Sequence, residues 1–134
     1  SRYARATRVL GELERHPAAD DPIVRDGIAQ TLAVGRAAEL MNYSVIAMRE
    51  RGEIPPWQAS AARVHNVAYE RRVMSIGEPM LGTDVLVTKE DDHALETGEI
   101  EEFDRHIITS SVTAGTYEVQ MGIVASRGLG LERD

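Results

Sequence analysis

Between Pro22 and Gly52 the chain runs without a further proline, and its inward-facing residues fall at helical intervals. Val24, Ile28, Thr31, Ala38, Met41, Val45 and Met48 follow steps of three, four or seven. Asp20-Asp21-Pro22 is a helix start, because an N-cap aspartate accepts backbone N–H bonds and proline fits the first helical position. Arg49 and Arg51 fall in the last turn, where cations suit the helix dipole, and Gly52 is a C-terminal stop. A helix from Pro22 to Arg51 is about 45 Å long at 1.5 Å per residue. Helices of that length belong to extended bundles.

The remaining segments fit around it. Tyr3, Val9, Leu10 and Leu13 give a first helix its apolar side over 2–15, and Pro17 ends it. A third helix begins after Pro55-Pro56 and carries Ala62, Val64, Val67, Ala68, Met74 and Ile76 to about Leu81, with Gly77 and Pro79 blurring its end. The stretch from Thr83 to Glu102 is acidic and poor in large apolar residues, so it reads as a mobile, change-tolerant insertion, with Lys89-Glu90-Asp91-Asp92-His93 as solvated surface. Helix returns weakly over 100–108, and a last helix runs from Gly115-Thr116 to Gly128. The expected fold is all-α: a single domain over 1–134, an up-and-down antiparallel four-helix bundle.

Composition narrows the functions. The chain has no cysteine, which excludes disulfides, thiolate metal sites and cysteine nucleophiles. A net charge of −7 over 134 residues, with dispersed arginines and Lys89 as the single lysine, opposes nucleic-acid binding. No apolar run reaches the roughly 20 residues a membrane helix needs. No signal peptide opens the chain, and a cytoplasmic location is expected. The chain begins at Ser1 inside a helical pattern, so a fragment of a longer protein is expected. His16, His65, His93 and His106 form neither a helical zinc pair nor a Glu-x-x-His motif. Glu39 and Glu70 lie on long helices as di-metal carboxylates do, but without histidine partners, and no metal is expected. Gly115-Thr116 before a helix has either of two readings: an anion site built on free backbone N–H groups, or an ordinary cap.

The segment Thr113-Ala114-Gly115-Thr116-Tyr117-Glu118-Val119-Gln120 resembles the closing block of acyl-CoA dehydrogenases, roughly Gly-Thr-x-Glu/Gln-Ile/Val-Gln before an apolar helix. That helix continues here as Ile123-Val124-Ala125-Ser126-Arg127 and ends on Gly128-Leu129-Gly130-Leu131. Ala59-Ser60-Ala61-Ala62-Arg63 looks like the family's Ala-Ser-x-Ala-Lys opening of the third bundle helix. Asp20-Asp21-Pro22-Ile23-Val24-Arg25 is similar to the entry of its long second helix. The resemblance covers the whole chain but only the final third of a complete three-domain enzyme.

The resemblance implies oxidation of an acyl-CoA thioester to the trans-2-enoyl-CoA. A carboxylate removes the α-proton, flavin adenine dinucleotide (FAD) takes the β-hydride, and electrons pass to an electron-transferring flavoprotein. Gly115, Thr116, Tyr117 and Glu118 match the positions that line FAD, and Gly82 matches the turn that meets the flavin of a neighbouring subunit. Two departures stand out. Pro79 and Thr83 replace a glutamine and a glycine around that turn. Ala114 stands where many members place the catalytic glutamate, so no catalytic base is expected in this chain, and the isolated chain is expected to be inactive. The base then lies before Ser1, or the chain belongs to a non-catalytic assembly subunit of a heteromer. An acyl-CoA oxidase or flavin monooxygenase keeps the same bundle. A homo- or hetero-oligomer is expected, joined through the long second helix and the last helix, where Gly122 and Ala125 permit close approach.

Limited proteolysis is expected to cut first within 83–102. Preferential cleavage within 22–51 would contradict the helix assigned there.

Overall fold

The structure, a computed structural model, describes residues 2–93 and 98–132. Within them are five α-helices and no strand: α1 (Arg2–Arg15), α2 (Pro22–Glu50), α3 (Gln58–Leu81), α4 (Glu99–Val112) and α5 (Tyr117–Ile123). Tight turns of helix lie at Pro17–Asp20 and Gly82–Leu86, and a π-helical turn, Val124–Gly128, extends α5.

The long helix has the start its sequence requires. Asp21 caps α2 by accepting from the N–H groups of Ile23 and Val24, and Pro22 occupies the first turn. Arg51 closes the other end, donating its N–H to the carbonyls of Ala47 and Arg49. Pro79 lies inside α3, yet the helix continues to Leu81, where Gly82 takes a left-handed φ of 55° and donates its N–H to Glu78 O. A proline so near the end interrupts only the last turn.

Paired side chains fix the directions. Gly27 packs on Ile76, Thr31 meets Arg72, Gly35 lies under Tyr69, and Asn42 exchanges hydrogen bonds with Asn66 at 2.9 and 3.3 Å. The order reverses along the two helices, so α2 and α3 are antiparallel. Thr7 meets Tyr69 and Leu13 lies over Gly77, so α1 runs parallel to α3. Arg5 pairs with Glu102 at 3.1 Å and Arg8 with Glu99, which sets α4 antiparallel to α1. The up-and-down four-helix bundle is therefore made by α1 to α4.

The last helix is an addition to that bundle. It packs on α3, with Tyr117 against Arg71 and Gly128 against Trp57, and neither it nor the following π turn has a buried residue. The fourth stave is instead α4, whose Ile100, Phe103, Ile107 and Ser110 are buried. Its sequence signal is weak because those residues are diluted by Glu99, Glu101 and Glu102 in the first turn, where acids favour helix.

The expected insertion over 83–102 is narrower than its composition implies. Val85 is buried in the turn after α3, and Ile100 is buried at the start of α4. Two apolar anchors in an acidic stretch suffice to tie its ends to the core. Residues 88–93 are exposed and turn through Asp91 N–H to Thr88 O and His93 N–H to the Asp91 carboxylate. Residues 94–97 lie outside the described residues.

The core centres on Tyr69 and Phe103, with Leu10, Leu13, Val9 and Val73 around them. Tyr69 lies across the backbone of Gly35: a Cβ there would sit 2.5 Å from the ring's Cζ. Its hydroxyl meets Thr7 Oγ1 at 3.1 Å. Burial pushes the Tyr69 phenol up from its ordinary pKa, against the opposing effect of that hydrogen bond.

Gly35→Ala is expected to destabilise the fold by about 1–3 kcal/mol, the cost of overpacking a filled core. Urea unfolding of the protein checks this. An unchanged midpoint would mean that the ring can move aside.

Candidate functional site

The candidate site is the turn that leaves α4 and enters α5. Thr113 ends α4 with its N–H on Thr109 O. Ala114 then takes φ +57°, the one non-glycine left-handed residue among those described, and Gly115 follows at φ +89°. The left-handed conformation costs a non-glycine residue roughly 1–2 kcal/mol. It persists where surrounding contacts over-determine it.

Two such contacts are present. On one side the Arg63 guanidinium donates to the carbonyls of Ser110 and Thr113. On the other, Gln120 Nε2 donates to Ala114 O at 3.2 Å and fills the space a Cβ on Gly115 would need. The turn is therefore held from α3 and from α5 at once.

Thr116 caps α5, its hydroxyl accepting from the Val119 N–H at 3.3 Å. The N–H groups of Thr116 and Tyr117 meet no acceptor among the described residues. Glu118 is exposed beside them. A hydrogen bond from its own backbone N–H holds its carboxyl below the usual carboxylate range, helped by the Thr116 hydroxyl and the charge of Arg71, with a smaller opposing effect of burial. A depressed folded-state pKa contributes stability above the ordinary carboxylate pKa, and that contribution is lost as pH falls through the folded value. Arg71 also lies over the Tyr117 ring, 5.2 Å from its centroid.

Glu118 changes the reading of the helix start. Its carboxylate already occupies the positive end of the short helix, so the anion site open to a Gly-Thr start is partly filled from within. What stays free are the N–H groups of Thr116 and Tyr117 and the Tyr117 face. These fit a neutral polar surface of a ligand better than a diphosphate.

Gly82 is not part of this cluster. It lies eleven positions along the chain from Arg71 (82 − 71), about 16 Å at the helical rise, and its N–H is spent on Glu78 O. Ala114 is exposed and carries no titratable group. Among the described residues no cluster of histidine, aspartate or glutamate could hold a metal, and no helix is long and apolar enough to cross a membrane.

A buried polar pair behind the turn is absent from the candidates drawn from the sequence. Glu70 is 1 % exposed, and Ser110 Oγ donates to its Oε2 at 2.6 Å. The signal was present: Glu70 falls on the inward face of α3 in step with Val67 and Met74. A carboxyl on an apolar stripe is a buried polar group that takes a hydrogen-bond partner from another element.

The family model for the acyl-CoA dehydrogenase C-terminal domain matches residues 2–129. The acyl-CoA dehydrogenase IpdE1 of Mycolicibacterium smegmatis is 30% identical over 137 residues, covering 99% of this chain and 32% of that protein. The steroid acyl-CoA dehydrogenase Tcur3481-Tcur3483 superposes with a TM-score of 0.82 at 26% identity, over 96% of this chain and 34% of the solved one. The ChsE4-ChsE5 complex from Mycobacterium tuberculosis has the same fold, with a TM-score of 0.86 at 23% identity, over 98% and 37%. This chain thus spans about a third of the length of each relative.

Ala114→Gly is expected to raise stability by about 1 kcal/mol, because glycine adopts this φ without the Cβ clash but loses more freedom on folding. Thermal unfolding of the two proteins side by side reads the sign. From its helical fold, its closing Ala-Gly-Thr turn and a family match along almost its whole length, the chain belongs to the acyl-CoA dehydrogenases, as their C-terminal domain.

Proposed function

We propose that this chain is the C-terminal bundle of an enzyme that oxidises an acyl-CoA thioester to its trans-2-enoyl-CoA in the cytoplasm. In that role it gives the enzyme a wall of its FAD site and part of its subunit contacts. Bound FAD would supply the hydride acceptor for the reaction, and an electron-transferring flavoprotein is the expected electron partner. The observation that carries the reading is the strained Ala114-Gly115-Thr116 turn, which leaves two backbone N–H groups unpaired beside an aromatic ring. Gly115, Thr116 and Tyr117 would hold neutral polar parts of the cofactor. Glu118 lies at the rim, where its charge keeps phosphate at a distance. Gly82 would meet the cofactor of another subunit, since its own site lies along α3 from it.

Ala114 cannot accept the α-proton, so this chain orients and encloses while a carboxylate from elsewhere in the assembly does the acid–base work. That carboxylate belongs either to the segment before Ser1 or to a second kind of subunit. Two structural relatives, Tcur3481-Tcur3483 and the ChsE4-ChsE5 complex, each pair two components, which favours a heteromer. Tcur3481-Tcur3483 is a steroid acyl-CoA dehydrogenase, which favours a bulky, ring-bearing acyl group as substrate here. A bundle-type oxidase differs only in how the reduced flavin meets oxygen.

The full-length protein, alone and with its partner subunit, is expected to purify yellow and to reduce an electron acceptor with a steroid side-chain thioester faster than with octanoyl-CoA. The 134-residue chain by itself is expected to be inactive with both. A colourless full-length protein sinks the cofactor role, and turnover by the short chain sinks the assignment of the base. In the full-length protein Ala114→Glu is expected to alter the ratio of rates for the two thioesters.

A further inference from the structure

The candidate turn has an unusual balance of forces. Ala114 holds a left-handed φ that its side chain opposes, and nothing in its own sequence stabilises it. The two carbonyls that flank its Cα are tied: Thr113 O to the Arg63 guanidinium, Ala114 O to the Gln120 amide. Arg63 also reaches Ser110 O, so one guanidinium grips the last turn of α4 and the first residue beyond it. Those carbonyls lie at the negative end of α4, where a cation is favoured electrostatically. Arg63 Nε is enclosed by protein without an acceptor, so the side chain is committed inward and no added domain can reach that atom. The base of Arg63 is on α3, one helical turn from Val67 in the core, which makes the grip rigid.

We propose that Arg63 is a positioning residue of the site: with Gln120 it clamps the strained turn from both sides and so sets where Gly115 to Glu118 meet their ligand. The ligand's identity rests on the flavin reading above; the clamp itself does not. The clamp acts through the conformation of Ala114, so relieving the strain at Ala114 replaces part of what Arg63 provides.

The test uses the full-length protein with Arg63→Met, Arg63→Lys, Gln120→Met and Ala114→Gly, and Arg63→Met combined with Ala114→Gly. Amide hydrogen exchange is followed at 114–119 and in α2, and FAD affinity is measured by titrating the apoprotein. Arg63→Met is expected to speed exchange at 114–119 by about tenfold while α2 keeps its protection. Arg63→Lys, which keeps the cation, restores most of the protection, and Ala114→Gly in the Arg63→Met background restores part of it. Gln120→Met, a change on the half-buried outer helix, gives the same local effect if Arg63→Met does not fold. Unchanged exchange at 114–119, loss of protection spread evenly through the bundle, or strictly additive effects of Arg63→Met and Ala114→Gly would each overturn the clamp. Local loosening accompanied by about tenfold weaker FAD binding supports both proposals. Local loosening with unaltered FAD affinity supports the clamp and removes the flavin from residues 115–118.

Discussion

Tyr69 pressed onto the backbone of Gly35 is the contact on which the rest of the domain depends. It brings α2 and α3 closer than any side chain at position 35 would permit. Because the same ring carries a hydroxyl that reaches Thr7, one residue fixes the axial positions of three helices. Thr31, Arg72 and Gln30 repeat the fixing one turn away, through Arg72 Nε to Thr31 Oγ1 at 3.2 Å and Arg72 Nη2 to Gln30 Oε1 at 2.8 Å. Burial of apolar surface drives the collapse but is indifferent to sliding. The ring over the glycine and the paired amides of Asn42 and Asn66 choose one register among several.

From that register the site follows. With α3 fixed against α1 and α2, its other side presents Arg63, Glu70 and Arg71 in sequence. Glu70 receives Ser110 and so seats α4; Arg63 grips the end of α4; Arg71 lies over Tyr117 and seats α5. The polar groups of one helix thus place both elements that meet at Ala114. A substitution in α3 can therefore disturb the turn without touching it.

The all-helical class and the bounds of α1, α2 and α3 were legible, because proline, aspartate caps and apolar spacing agree there. Asp21-Pro22 and Gly52 mark the two ends of α2 to within a residue or two. α4 was under-read, because its four inward residues are set among acids that look like surface. The turn at Ala114-Gly115 was legible as a family motif, but its left-handed φ and the Arg63 and Gln120 contacts were not. The Arg63 contact joins positions fifty residues apart, and no local pattern announces it. Gly82 and the 115–118 segment were both legible as candidates, yet nothing in a linear chain says that they lie about three turns of α3 apart.

The absence of any buried residue in α5 and its π turn bears on the order in which this domain assembles. The helices that share Tyr69 and Phe103 can collapse as a unit, since they hold nearly all of the interior. α5 contributes little to that nucleus and is attached by an arginine stacked on Tyr117 and a tryptophan against Gly128. Late docking of such a segment leaves its outer face, with Val119 and Met121, to be completed by whatever surface arrives next. Completion of the Ala114 edge is thereby coupled to whatever surface covers α5, and a bundle can be fully folded before its edge is.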